Sequence, residues 1–284
     1  ISLILYVAKV LGKKQKTKRD LFLAFKGAII PTVLVCFLIS LSDFSSSALL
    51  FATIMTMMFV GRIPIKYILL VLAAGLVSLG AMYLTASVME KTPGRIGTIK
   101  GRIDRFVEGE SATTDKIEDD DYAKFAIYSG GFIGKGPGHS EASNYIKNAY
   151  NDYIFAIIIE EYGLFFGIIV IFLYLIFFFR GVTIVRRATR TFPAFMVVGL
   201  TMVLVFQAMI NVGVSSGVLP DTGQPLPWVS YGGTSMIFTA ISFGCILSVS
   251  CQNQVNKKVP EQPVMIEVPD EDYEIENEHE QKNK

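Results

Sequence analysis

Asp152 stands where a long polar segment meets a predominantly apolar run that starts at Tyr153, and a carboxylate at such a boundary is a candidate general base. Partial desolvation disfavours its charged form and lifts its proton affinity toward a useful range. Asp is also favoured as a helix N-cap, where its oxygen accepts from free amides and its charge suits the helix dipole. The residue type leaves both roles open. Glu160 and Glu161 follow on the same run, about 12 Å deeper at 1.5 Å per helical residue and about 100° apart. An ionisable group at that depth is costly and turns toward a protein interior or a wet cavity. Either glutamate can support a site, act as counter-charge to a cavity Lys or Arg, or be an ion-paired structural residue.

Other candidates flank Asp152. The run Gly130-Gly131-Phe132-Ile133-Gly134-Lys135-Gly136-Pro137-Gly138 makes a flexible turn. The ammonium of Lys135 and the amides around Gly136 and Gly138 are suited to an anion such as a pyrophosphate. The run lacks the strand and helix context of a nucleotide loop. Arg102 and Arg105 add cations upstream. Downstream, residues 211–235 are dense in Gly, Pro and Ser and include Ser230, Tyr231 and Gly232. Irregular backbone between membrane-length helices survives only where protein or water satisfies it, which points to a shaped cavity. Gln207 and Asn211, four residues apart, share one helix face and serve either as interhelical glue or as substrate contacts. Asp43 sits in a short turn, placed to cap the helix that follows. Gly163 and Gly167 form a small-xxx-small pair expected to pack another helix. Glu108 to Asp121, with four acids in a row from Glu118, reads as a solvated, mobile stretch. His139 has no second His or Cys nearby, so no metal-ligand set is visible. Cys36, Cys245 and Cys251 lie in or beside apolar runs and offer no disulfide framework to the polar segment.

The elements that must hold these groups are membrane helices. The chain has 284 residues, 51% of them hydrophobic and 18% charged, and its mean hydropathy is +0.46. Predominantly apolar runs at 21–41, 46–60, 67–88, 153–179, 193–215 and 230–250 have the length and composition of membrane helices, and 1–11 resembles the tail of another. The expected fold is therefore all-α and polytopic. The first residue is Ile and the apolar run begins at once, so an upstream portion is expected. Lys13, Lys14, Lys16, Lys18 and Arg19 mark a cytoplasmic loop. Alternation from there puts the segment of about 89–152 and the connection 221–228 outside. A polar loop far longer than about 15 residues is functional or disordered. The membrane domain is expected to occupy 1–252, and the acidic, aromatic-poor residues 253–284 a disordered cytoplasmic tail. A net charge of +1 carries no signal for nucleic acid, and none is expected as a partner.

Three segments in this order resemble the SEDS family (shape, elongation, division and sporulation), whose members polymerise the lipid-linked peptidoglycan precursor. They are Gly134-Lys135-Gly136-Pro137-Gly138-His139-Ser140, the run from Asp152 through Ile157-Ile158-Ile159-Glu160-Glu161-Tyr162-Gly163, and Leu219-Pro220 through Pro225-Leu226-Pro227 to Ser230-Tyr231-Gly232-Gly233. The likeness runs from residue 1 to about 250 and is closer to the division branch, FtsW, than to the elongation branch, RodA. It implies ten transmembrane helices, about seven of them present here, with the large outer loop between the seventh and eighth. It also implies inverting glycosyl transfer on lipid II during septal wall synthesis, with Asp152 as the base, and residence in the bacterial cytoplasmic membrane. A class B penicillin-binding transpeptidase and other divisome membrane proteins are the implied partners, and a divalent cation, Mg or Mn, is a candidate cofactor. A lipid II flippase and a divisome scaffold without chemistry are the rival readings. The sequence departs from the family pattern where Ile146 to Asn151 lacks a proline before the acid, and around Asp43, the one polar landmark its motif retains.

Overall fold

The computed structural model describes residues 1–13, 18–75, 119–146 and 148–258, and everything below concerns these. They form helices and no strands: α1 (Ser2–Leu11), α2 (Lys18–Ser40), α3 (Phe44–Val60), α4 (Ile65–Gly75), α5 (Asp119–Gly130), a 3-10 turn (Ala142–Asn144), α6 (Ala149–Asp152), α7 (Ile154–Arg187), α8 (Thr191–Ser215) and α9 (Gly233–Lys258). Within α2, α7, α8 and α9 lie stretches long and apolar enough to cross a membrane, while α1, α3 and α4 are shorter apolar helices. These seven correspond to the runs expected from hydropathy. Residues 76–88 of the third full run, the acidic Glu118, and both Arg102 and Arg105 lie outside the described residues.

The centre of the bundle is where α1, α3 and α8 meet. Ile4, Val7, Met57, Met58, Val197 and Leu200 are buried there in one cluster. Gly199 lets the helices close: a Cβ at that position would meet Ile4 Cγ2 at 2.4 Å and the Met57 sulfur at 2.6 Å. Gly181 does the same between α7 and α8, against Thr201 at 2.7 Å. Small residues at such crossings are how helices associate in lipid, where burial of apolar surface gives little advantage. The outward faces agree, since Phe37, Leu70, Phe172 and Phe238 are all exposed and need hydrocarbon as their solvent.

A second, smaller assembly stands at one end. In α5, Ala123 and Ala126 pack with Ala156, Ile157 and Val214 from α7 and α8. The last three residues of the stretch expected to be mobile, Asp119 to Asp121, open this helix instead, where negative charge complements the dipole; residues 108–118 of that stretch lie outside the described residues. Lys124 pairs with Asp121 at 3.2 Å. At the other end of the chain, α9 continues to Lys258, beyond the boundary expected at 252.

Candidate active site

Gly163 breaks α7. Its backbone, at φ 85° and ψ 169°, is open to glycine and hostile to other residues. The portion after the break, residues 164–187, spans about 36 Å at 1.5 Å per residue and can cross the hydrocarbon alone. The portion before it, 154–162, belongs with the end assembly. The glycine-rich loop fills the break. The amides of Lys135 and Gly136 donate to the carbonyls of Glu160 and Glu161, each at 2.9 Å, and Leu164 N–H donates to the Gly131 carbonyl at 3.0 Å. Main-chain groups that the break would orphan are thereby satisfied. A Cβ at Gly163 would stand 2.3 Å from the Phe132 carbonyl oxygen, and one at Gly134 would stand 2.4 Å from that of Glu161. Gly163 is therefore a seat for this loop, and the helix-packing role expected of it is not what its geometry serves. Gly163→Ala should cost about 3 kcal/mol or more through strain and collision and expel the loop. Limited proteolysis within 131–141 should accelerate accordingly, and an unchanged cleavage rate would refute this account of the break.

Glu160 closes the same joint from the side. It is fully buried, yet its side chain bonds the segment from Ser129 to Ala142, with Ser129 Oγ at 3.5 Å from its Oε1. Its Oε1 accepts from Lys135 Nζ at 2.9 Å and from the Glu141 amide at 3.1 Å, while its Oε2 accepts from Ser140 Oγ at 2.6 Å and from the Ala142 amide at 3.3 Å. Lys135 also lies 3.6 Å from Glu141 and over the Phe125 ring. The hydrogen bond to Glu160 is the largest influence raising the Lys135 pKa above the ordinary lysine value. A raised pKa contributes stability that is complete below the unfolded value and lost as pH climbs through the folded one, so the pair is intact across the neutral range. The ammonium and amide expected to face an anion thus face α7: Lys135 holds Glu160, and the Gly136 N–H holds Glu161. Gly138, at φ 76° with nothing within 4 Å of a Cβ there, faces open space.

Asp152 ends the short helix α6. The N-cap position of α7 is occupied by Tyr153, so Asp152 does not fill the capping role that its residue type allowed. What distinguishes its turn is the treatment of three consecutive carbonyls. That of Tyr150 accepts from the Tyr231 amide at 2.9 Å, that of Asn151 from Ser230 Oγ at 2.6 Å, and that of Asp152 from Asn211 Nδ2 at 2.8 Å. The donors come from α8 and from the loop that follows it. Asn211 and Ser230 are buried, and Ser230 Oγ also accepts from the Leu226 amide at 2.6 Å. The loop is fastened to the membrane part of α7, since the Tyr174 hydroxyl donates to the Pro227 carbonyl and Trp228 packs on Tyr174, Phe177 and Phe243.

A hydrogen-bonded path continues beyond this turn. Asn211 Nδ2 also donates to the Gln224 carbonyl at 2.8 Å, Gln224 Nε2 donates to Ser46 Oγ at 2.9 Å, and Ser46 Oγ donates to Asp43 Oδ2. Asp43 caps α3 through the amides of Ser45 and Ser46. Asp43, Asn211, Ser230 and Asp152 are thus brought together, whereas Glu160 and Lys135 form the separate joint at the break. Gln207 is half-buried on α8, Tyr231 exposes its ring, and Gly232 lies beside Asn151. Ser46, Ser140 and Gln224 were not singled out by sequence. Ser140 and Gln224 do lie inside the motif segments, but hydroxyls and amides are too common for position alone to expose their partners.

Residues 1–255 match the model of the cell cycle protein family FtsW, RodA and SpoVE. The chain belongs to this family. It is 31% identical over 264 residues to the "Probable peptidoglycan glycosyltransferase FtsW" of Saccharophagus degradans, covering 90% of this chain and 66% of the relative. Against the protein of the same name in Bacillus subtilis it is 30% identical over 255 residues, covering 87% and 62%. The chain thus spans a little under two thirds of the length of these relatives. A chain from a structure titled "Structural coordination of polymerization and crosslinking by a peptidoglycan synthase complex" superposes with a TM-score of 0.65 at 22% identity, over 88% of this chain and 68% of that one, a likeness of fold. With its apolar helices, this membership makes the chain part of a multi-pass membrane protein.

Proposed function

We propose that this protein is a peptidoglycan glycosyltransferase that polymerises lipid II, with Asp152 as the general base of an inverting transfer. The observation that carries the reading is the rigid hold on the Asp152 turn, by three carbonyl bonds from elements distant in sequence, in a family whose relatives bear that name. Preorganised carboxylates of this kind raise rates by holding the proton acceptor where the reaction needs it. In the reaction, the Asp152 carboxylate takes the proton of the 4-hydroxyl on one lipid II sugar. The oxygen forms a bond to the anomeric carbon of the lipid-linked donor as the bond to pyrophosphate breaks, and undecaprenyl pyrophosphate departs with the electron pair. The open surroundings of Gly138 and the exposed ring of Tyr231 support substrate approach on this side.

The charge developing on pyrophosphate calls for cations. Lys135 is engaged by Glu160, and Arg102 and Arg105 stay candidates on sequence grounds. Among the described residues no group of three or more His, Cys, Asp or Glu gathers to hold a metal ion. The family pattern supports a site facing outward from the bacterial cytoplasmic membrane, septal work beside other divisome proteins, and pairing with a class B penicillin-binding transpeptidase.

The test is reconstitution of the full-length protein into vesicles carrying fluorescent lipid II. Glycan chains longer than one disaccharide are the expected product. Movement of lipid II between leaflets with no polymer would replace the reading with transport, and neither product, with the transpeptidase present, would leave a scaffold.

A further inference from the structure

We infer that Asn211 and Ser230 are positioning residues for Asp152, forming with the Tyr231 amide a clamp that sets the height and direction of the carboxylate. The inference rests on the proposed role of Asp152 and goes further in saying what makes that residue competent. Three successive carbonyls, at 150, 151 and 152, are each taken by a donor outside their own segment. Within the turn the Asn151 and Asp152 amides are bonded, both to the carbonyl of the N-cap Asn148, at 2.9 and 3.1 Å, and Asn148 itself is left-handed at φ 62°. Those two bonds hold the turn's shape, and the three carbonyl bonds from other elements set its orientation. The two side-chain donors are buried, and their own placement is determined in turn: Asn211 sits on α8 with its second donor bond on Gln224, and Ser230 is held between Leu226 and Asn151.

The clamp has a direction of control. The loop that supplies Ser230 and Tyr231 is anchored in the membrane layer by Trp228 and by the Tyr174 bond to Pro227, while Gln224 ties it to Ser46 and the Asp43 cap on α3. Movement of that loop carries the Asp152 turn with it. Neither Asn211 nor Ser230 needs to touch substrate: Asn211 acts through the backbone of Asp152, and Ser230 through that of Asn151 beside it.

The experiment compares Asn211→Leu and Ser230→Ala with wild type and Asp152→Asn in the full-length protein, using lipid II as substrate and samples matched by melting temperature. A positioning role predicts kcat lowered about 10- to 100-fold, as for small misplacements of a catalytic group, with KM for lipid II held within about 3-fold. It also predicts an acid limb of the kcat–pH profile displaced by about half a unit or more as the carboxylate's surroundings change. Wild-type kcat and pH profile in both variants, a loss confined to KM, or a loss that only tracks melting would overturn it. If Asn211→Leu does not fold, Ser230→Ala decides, because it leaves the main-chain bond of Tyr231 and both Asn211 bonds in place. Full activity in Asp152→Asn would instead overturn the base assignment, and with it the clamp; loss in Asp152→Asn with untouched clamp variants removes the clamp alone.

Discussion

Lys135→Ala is expected to lower the stability of the folded protein by about 2–4 kcal/mol, one of the two largest effects foreseen here, although the residue lies on a loop. Breaking a buried ion pair costs about 3–5 kcal/mol because a charge is left in a medium that cannot solvate it. Glu160, with no exposed surface, is such a charge. The lower figure follows from the Ser140 hydroxyl and the Glu141 and Ala142 amides, which still donate to it, and from Lys135 being a quarter exposed. Removing the acid is no milder, since Glu160→Ala strands those donors and the ammonium together. Lys135→Met combined with Glu160→Gln should cost less than the two single changes summed, the coupling expected of groups in contact. Unfolding in detergent, followed by the fluorescence of Trp228, measures all of these. Single variants within about 0.5 kcal/mol of wild type would mean that the joint at the break is not structural.

Asp152→Asn is expected to reduce glycan polymerisation about 10³-fold or more, near the upper part of what a positioned proton acceptor contributes, with melting unchanged. The substitution keeps the shape of the side chain, and the bonds that fix this turn run through backbone carbonyls that an amide leaves alone. The contrast with Lys135 is diagnostic. One variant loses chemistry and keeps its fold; the other loses fold, and activity only as a consequence. The two sites are also physically separate bonding systems, so their stability effects should add.

The helices were legible because hydrocarbon imposes length and apolarity, and the runs at 21–41, 153–179, 193–215 and 230–250 correspond to helices that the bundle requires. Asp152 was legible as a boundary carboxylate, and the glycine-rich and proline-rich segments as places where backbone departs from helix. Their partners were not. Gly163 looked like a helix-packing glycine, since only the three-dimensional return of residues 130–136 to the helix reveals a break. From sequence Glu160 is a group buried within a span, because its apolar neighbours on both sides continue one helical run. Hydropathy cannot register a single residue at positive φ. The clamp on Asp152 was equally hidden, because its acceptors are main-chain carbonyls and its donors, Asn211 and Ser230, lie 59 and 79 residues away. The acids before Tyr122 read as solvated because like charges in sequence repel, a penalty that for Asp119 to Asp121 the helix N-terminus and Lys124 offset.

The central claim is that Asp152, held by its clamp, is the base that drives polymerisation. The direct measurement is initial-rate polymer formation from purified lipid II by the full-length protein with its transpeptidase, comparing wild type with Asp152→Asn at equal melting temperature and equal lipid II binding. Polymer from wild type with a loss of about 10³-fold in the variant is the predicted result. Equal polymer from the two would contradict it and reduce Asp152 to a structural residue of its turn.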